Sequence, residues 1–246
     1  MKTISPNLNI MIKACEKASK ILIRDFGELE NLQVLKKGPK DFVTNSDRMV
    51  EKILIEELIK YKKKYSILTE ETGYIENDDT ENIWIIDPID GTNNFLHGVP
   101  HFCISIAFQS KDEILTGLVF DPIKNEIFYA EKNHGAFFNN HRIRVSKKKD
   151  LDECLFATNY RGLIKTKLNS RITGSAALDL AYVGAGRFDG YFQDNLNIWD
   201  IAAGILIIKE AGGVLNEINL SQRTNLKLLA SSHNIREKMI KKINNF

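Results

Sequence analysis

Apolar residues recur at three- and four-residue steps from Ile10 to Phe26, through Ala14, Ala18, Ile21 and Leu22. That spacing predicts an amphipathic helix, which Gly27 ends. A second helix is predicted after Asp41–Asp47, with Met49, Val50, Ile53, Leu54 and Leu58 as its buried stripe. Leu32–Leu35 and Ser66–Leu68 are short enough to be strands, and Lys36–Lys40 reads as a basic turn. Tyr74 to Asn82 is polar and acid-rich, an exposed excursion. Ile83-Trp84-Ile85-Ile86 then reads as a buried strand with Asp87 and Asp90 at its C-terminal end. Pro88 fixes φ and lacks an N–H, so the strand should stop there. Gly91 and Thr92 permit a sharp turn, and Thr92 or Asn93 could cap a short helix through Phe95.

Beyond that point the period changes. Phe102–Phe108, Ile114–Phe120, Glu126–Ala130 and Gly135–Asn140 alternate or run apolar, with turn residues between them. They predict hairpin-linked antiparallel strands. Leu155–Thr158 begins a second sheet, and Arg171–Tyr182 reads as strand, turn and helix. A helix rich in small residues opens at Ile198-Trp199-Asp200 and ends at Ala211-Gly212-Gly213. Val214–Ile218 and Lys227–Ala230 complete the second sheet, and the last helix, starting near Ser231-Ser232, carries Ile235, Met239 and Ile243.

Composition narrows the class. A chain of 246 residues with 43% hydrophobic and 27% charged residues is ordinary for a globular protein, long enough to bury roughly 70–75% of its unfolded surface. The net charge of +2, from 34 basic and 32 acidic residues, gives no sign of direct nucleic-acid binding. No apolar run approaches the ~20 residues of a membrane span, and Met1–Pro6 lacks a signal-peptide core. Cys15, Cys103 and Cys154 are odd in number and lack metal-type spacing, as do the histidines, so the thiols are expected reduced. A cytoplasmic enzyme is the expected setting.

The candidate chemistry sits at the end of the central strand, where two acids, a tight turn and a helix N-terminus suit a divalent cation beside a phosphate. Asp87-Pro88-Ile89-Asp90-Gly91-Thr92-Asn93-Asn94-Phe95 resembles the signature of the inositol monophosphatase family. Glu70-Glu71 upstream and Trp199-Asp200-Ile201-Ala202-Ala203-Gly204 downstream match two further motifs of that family, in order and spacing. The Arg171–Tyr182 and Gly186–Phe192 segments resemble its bacterial branch. The similarity runs from about Lys36 to the last helix. Each acid also has a plain structural explanation: Asp47 and Asp200 as helix-start acids, worth about 0.3–1 kcal/mol, and Glu70-Glu71 as surface charge.

The resemblance implies an α/β (α+β) fold, a layered αβαβα sandwich of the sugar-phosphatase type. Residues 1–246 would form one domain, with an α+β half to about 145 and an α/β half from about 146. It implies two to three Mg²⁺ ions, one on Glu70, Asp87 and the Ile89 carbonyl, another on Asp87, Asp90 and Asp200, and a looser third near Glu70. Asp47 and Thr92 would orient the attacking water, with Glu71 a supporting acid. Gly91, Thr92 and Asn93 would cradle the phosphate; Asp90, Arg171, Gly174, Ser175, Ala176, Gln193 and Asp200 would meet the substrate. Arg171 could equally form a surface salt bridge, and Lys36 or Lys40 could serve a loop near the site or stay solvated.

Two departures stand out. Gln193 replaces the glutamate of most relatives, and an amide accepts hydrogen bonds without the charge that strengthens them. Asn159–Ser170 is shorter than usual, which trims a piece that helps wall the pocket. A homodimer, lithium inhibition and a phosphorylated polyol substrate follow from the resemblance. So does a different possibility, association with RNA polymerase as an antitermination factor. Fructose bisphosphatase, histidinol phosphatase and phosphoadenosine phosphate phosphatase are rival activities on the same chemistry.

Overall fold

Ser5 and Pro6 start the first helix a turn earlier than its apolar pattern does. Ser5 Oγ accepts from the Leu8 N–H at 3.1 Å, and Pro6, which has no N–H to lose, opens α1 (Pro6–Gly27). A computed structural model describes residues 4–29, 34–38, 41–159 and 168–243, with backbone alone for 34–38 and 41–44. Part of the Leu32–Leu35 expectation, Lys40 and most of the shortened 159–170 segment lie outside the described residues. β1 (Val34–Gly38) and β2 (Asp41–Thr44) pair antiparallel, so Lys36 belongs to a strand rather than to a basic turn.

Helix α2 (Asn45–Tyr61) buries Asp47, Val50, Glu51, Leu54 and Leu58 on one face. Met49, expected in that stripe, is 44% exposed. It stands about 100° around the helix from Val50, which turns it off the packed face.

The larger sheet follows from β3 (Tyr65–Thr69), β4 (Gly73–Ile75) and β5 (Asp79–Asp90). After the short α3 (Thr92–Leu96) come β6 (Cys103–Ser110), β7 (Glu113–Asp121), β8 (Glu126–Glu131), β9 (Gly135–Phe138) and β10 (His141–Arg142). Their order is β10-β9-β8-β7-β6-β5-β3-β4. β3 and β5 run parallel and the other neighbours antiparallel. The acid-rich stretch is therefore not all excursion: Tyr74 and Ile75 are in β4, and β5 starts at Asp79.

The smaller sheet contains β11 (Phe156–Thr158), β12 (Ser170–Arg171), β13 (Gly190–Leu196), β14 (Val214–Leu215) and β15 (Leu226–Ser231), in the order β12-β11-β13-β15-β14. The remaining helices are α4 (Ala176–Gly184), α5 (Ile198–Glu210) and α6 (Arg236–Ile243). Ser231, expected at the start of the last helix, ends β15 instead.

Strand alternation sorts the core into layers, because successive side chains point to opposite faces. Ile67, Trp84, Ile86, Ile106 and Leu118 face α1 and α2, while Leu68, Ile85, Ala107 and Val119 face α4 and α5. Tyr191, Leu228 and Ala230 of the smaller sheet pack on the other side of α4 and α5, and Phe156, Phe192 and Leu229 face α6. The result is an αβαβα sandwich. At the middle layer, a Cβ on Gly204 would stand 2.5 Å from Leu180 Cβ, so α4 and α5 approach as closely as they do only because that position has no side chain.

Candidate active site

Pro88 does not end the central strand. β5 continues to Asp90, and its pairing with β6 shifts between Asp87–Ser105 and Asp90–Cys103, a β-bulge that adds one residue on the β5 side. The pairing of β3 with β5 finishes at Ile86, so the missing proline N–H is needed by neither neighbour. The bulge aims both acids. Asp87 is 2% exposed; its Oδ1 accepts from the Ile89 N–H at 3.0 Å, and its carboxyl is hydrogen-bonded to Glu70. Glu70 itself comes from the turn between β3 and β4.

Gly91, not Thr92 or Asn93, caps α3. Its φ of +98° is left-handed, and a Cβ there would stand 3.0 Å from the His101 carbonyl oxygen. Thr92 is thereby placed in the first turn. Its Oγ1 lies 2.9 Å from the Ile89 carbonyl oxygen and 3.3 Å from Oδ1 of the fully buried Asp47. The hydroxyl has one hydrogen and two lone pairs, so it can donate to one of these and still accept. Asn93 is exposed beside it.

Asp90 ties the larger sheet to the middle helices. Its Oδ2 accepts from Ser175 Oγ and the Ala177 N–H, both at 2.6 Å, and its Oδ1 from the Ala176 N–H at 3.3 Å. The two N–H groups are the first backbone donors of α4, which would otherwise lack partners. Asp200 closes a capping box at the start of α5, accepting from the Asn197 N–H at 2.8 Å. The Asn94 amide donates to the carbonyls of His101 at 2.7 Å and Thr173 at 2.8 Å, which fixes the segment leading to Gly174.

The four carboxyls act on one another. Burial first, then Glu70, Asp90 and Asp200, push the Asp87 carboxyl well above the usual carboxylate range. Burial raises Asp90 to about 6, against the hydrogen bonds from Ser175, Ala177, Ala176 and Cys103 that lower it. Burial and then Asp90 raise Asp200 to about 8. Among the described residues no group of three or more acidic, histidine or cysteine side chains stands at the spacing of a closed metal site. Asp90 and Asp200 accept from backbone N–H groups at the starts of two helices. The donor set is nonetheless all oxygen, with Asp87 and Asp90 buried and Glu70 and Asp200 half-buried, which fits a hard divalent cation.

Beside these acids lies a cavity of about 140 Å³. Asp90, Gly174, Ser175, Ala176, Gln193 and Asp200 line it, six residues the sequence nominates for substrate. Arg171 does not line it. It is exposed on the edge strand β12, where its guanidinium donates to Asn169 Oδ1 at 3.2 Å and to the Ser170 carbonyl at 3.0 Å. Gln193 Oε1 already accepts from Tyr191 OH at 2.8 Å.

Thr158, Asn159, Asp179 and Leu196 complete the lining without having been anticipated. Asp179 is 3% exposed, accepts from Thr173 Oγ1 at 2.7 Å and is pushed well up by burial. A buried acid one turn into a predicted helix was the available signal. All three cysteines are free and buried, and burial lifts the Cys103 thiol well above its ordinary value, away from thiolate chemistry. No helix of the described residues is long and apolar enough to cross a membrane.

Acids from three segments acting on one another beside a polar pocket, within two sheets separated by helices, define a fold of the sugar-phosphatase type. The chain belongs to the inositol monophosphatase family, whose model matches residues 4–245. It is 46% identical to an inositol-1-monophosphatase of Rhizobium meliloti, over 84% of this chain and 83% of that protein. It is 40% identical to the Nus factor SuhB of Escherichia coli strain K12, over 86% of this chain and 85% of that one. The crystal structure of the extragenic suppressor protein suhB from Bartonella henselae superposes with a TM-score of 0.92 at 42% identity, covering 98% of this chain and 99% of that one. An IMPase of Thermotoga maritima matches at a TM-score of 0.88 and 38% identity, with 98% and 97% covered.

Proposed function

We propose that this protein hydrolyses phosphate monoesters of myo-inositol or a similar polyol at the pocket between Asp90 and Asp200. The observation that carries the reading is the action of Glu70, Asp90 and Asp200 on Asp87, acids from three separate segments, two of which (Asp90 and Asp200) line one polar cavity. Family membership and inositol-1-monophosphatase relatives support the substrate class. Glu70, Asp87, the Ile89 carbonyl, Asp90 and Asp200 would hold two magnesium ions, with a third near Glu70. When bound, magnesium supplies Lewis-acid stabilisation of phosphoryl charge and makes water more acidic.

The chain's own residues do the rest. Thr92, whose proton goes to Asp47, keeps lone pairs that accept from a water and orient it in line with the phosphorus. The N–H groups of Gly91, Thr92 and Asn93, at a helix start where no intrahelical acceptor exists, offer donors to phosphate oxygens. Gln193, Ser175 and the 174–176 backbone face the alcohol. A homodimer and a cytoplasmic setting go with this reading.

Phosphate release from a panel of inositol, sugar and nucleotide phosphates, with and without magnesium, tests it. Release from inositol phosphates that chelator abolishes is the expected result. A second reading rests on the relatives named Nus factor SuhB: association with RNA polymerase and its factors through the protein surface. Co-purification with transcription proteins that survives Asp87→Asn would favour that reading.

A further inference from the structure

Glu70 lies in a three-residue turn whose other members are held from outside the sheet. Glu51, on α2, is 3% exposed, and its carboxylate receives three donors from around that turn. Thr69 Oγ1 and the Glu71 N–H, the latter at 2.9 Å, donate to Oε2, and Thr72 Oγ1 donates to Oε1. These residues bracket Glu70 on both sides. A turn of the same helix earlier, Asp47 reaches Thr92. Residues i and i+4 share a helix face, so one rigid element fixes two segments that arrive from different places in the chain.

We infer that Glu51 is a positioning residue, which holds the 69–72 turn so that Glu70 faces Asp87 in the geometry magnesium requires. The inference rests on the proposed reading of the site and extends it to a residue that touches neither metal nor substrate. The chemistry favours a carboxylate here. Two oxygens with four lone-pair directions can satisfy three converging donors, and charge strengthens each bond. A glutamine can approximate it by placing its oxygen toward Thr69 and Glu71 while its amide donates to Thr72, whose hydroxyl can rotate to accept. Alanine leaves the turn untied, and Glu70 then explores orientations that cost it the fixed approach to Asp87.

The test is calorimetric titration of magnesium into metal-free protein, alongside the melting temperature of each variant. Glu51→Ala is expected to weaken magnesium binding about 10–100-fold, the range for groups that orient metal ligands. Glu51→Gln should recover most of the affinity. Asp189→Asn is the control for mere destabilisation, since Asp189 is equally buried but serves Leu155 and Lys148, outside the site. It should lower the melting temperature and leave magnesium affinity as in wild type. If Glu51→Ala does not fold, Thr72→Val, at an exposed position, carries the test with a few-fold weakening expected.

Unchanged affinity in Glu51→Ala, or in Thr72→Val where that variant replaces it, would overturn the inference while leaving the site intact. So would weakening that tracks melting temperature equally in Asp189→Asn. A wild-type protein that takes up no magnesium would overturn the reading of the site and this inference with it.

Discussion

Two of the concavities among the described residues differ sharply in character. The larger, about 870 Å³, lies at the far end of α5, between the β6–β7 turn and residues 213–220. Three of its charged side chains are committed to structure: Lys132 pairs with Glu113, and Glu210 accepts from the N–H groups of Asn133 and Gly135, both at 2.7 Å. The smaller, about 140 Å³, holds Asp90, which burial raises to about 6, and Asp200, which burial and then Asp90 raise to about 8. Volume there reflects how loops happen to pack. Chemistry follows crowded, desolvated charge, which costs the fold stability unless something binds it.

That contrast can be broken by substitution. Asp87→Asn or Asp200→Asn should lower turnover by several orders of magnitude, because each removes a proposed ligand. Glu210→Ala, in the larger groove, should cost about 1 kcal/mol of stability through lost hydrogen bonds and leave steady-state kinetics as they are. A smaller loss, about 10²-fold in kcat with little change in KM, is expected for Thr92→Val, on the scale of removing a group that handles the reacting water.

Acidity sharpens the comparison further. Asp90 and Asp200 have folded values raised above their ordinary 3.8. The folded state therefore holds these protons more tightly than the unfolded chain. Their contribution to stability is full below the ordinary carboxyl range and is lost as pH rises through about 6 and about 8. In chelator, melting temperature should fall across that window, and saturating magnesium or Asp200→Asn should flatten the decline. The smallest effect expected is from Gln193→Glu. It should shift catalytic efficiency a few-fold among inositol and sugar phosphates, and an identical profile would remove Gln193 from the account of specificity.

Much of this was legible because the acids sit at interruptions in strong local patterns. Ile83–Ile86 could only be a buried strand, so Asp87 and Asp90 had to appear at its end, and the small residues after Asp200 announced a closely packed helix. Other features depend on what stands opposite. Pro88 forbids a regular ladder but not a bulge, and the bulge is set by where the β3 pairing stops. Met49 and Val50 are equally apolar, and only the packed direction of α2 separates them. Glu51 looks like an ordinary helix charge until the 69–72 turn is laid against it. Arg171 shares a motif with the pocket residues Gly174–Ala176, yet its place on the edge strand, three positions before Gly174, leaves its side chain exposed. Thr158, Asn159 and Asp179 become neighbours only when the smaller sheet closes over α4.

The most direct test is the initial rate of phosphate release from myo-inositol 1-phosphate as magnesium is titrated into metal-free protein, wild type beside Asp87→Asn. The account predicts no release without the ion, a saturable rise with it, and a flat line for the variant. Equal rates in chelator and in magnesium, or an Asp87→Asn protein as active as wild type, would contradict it.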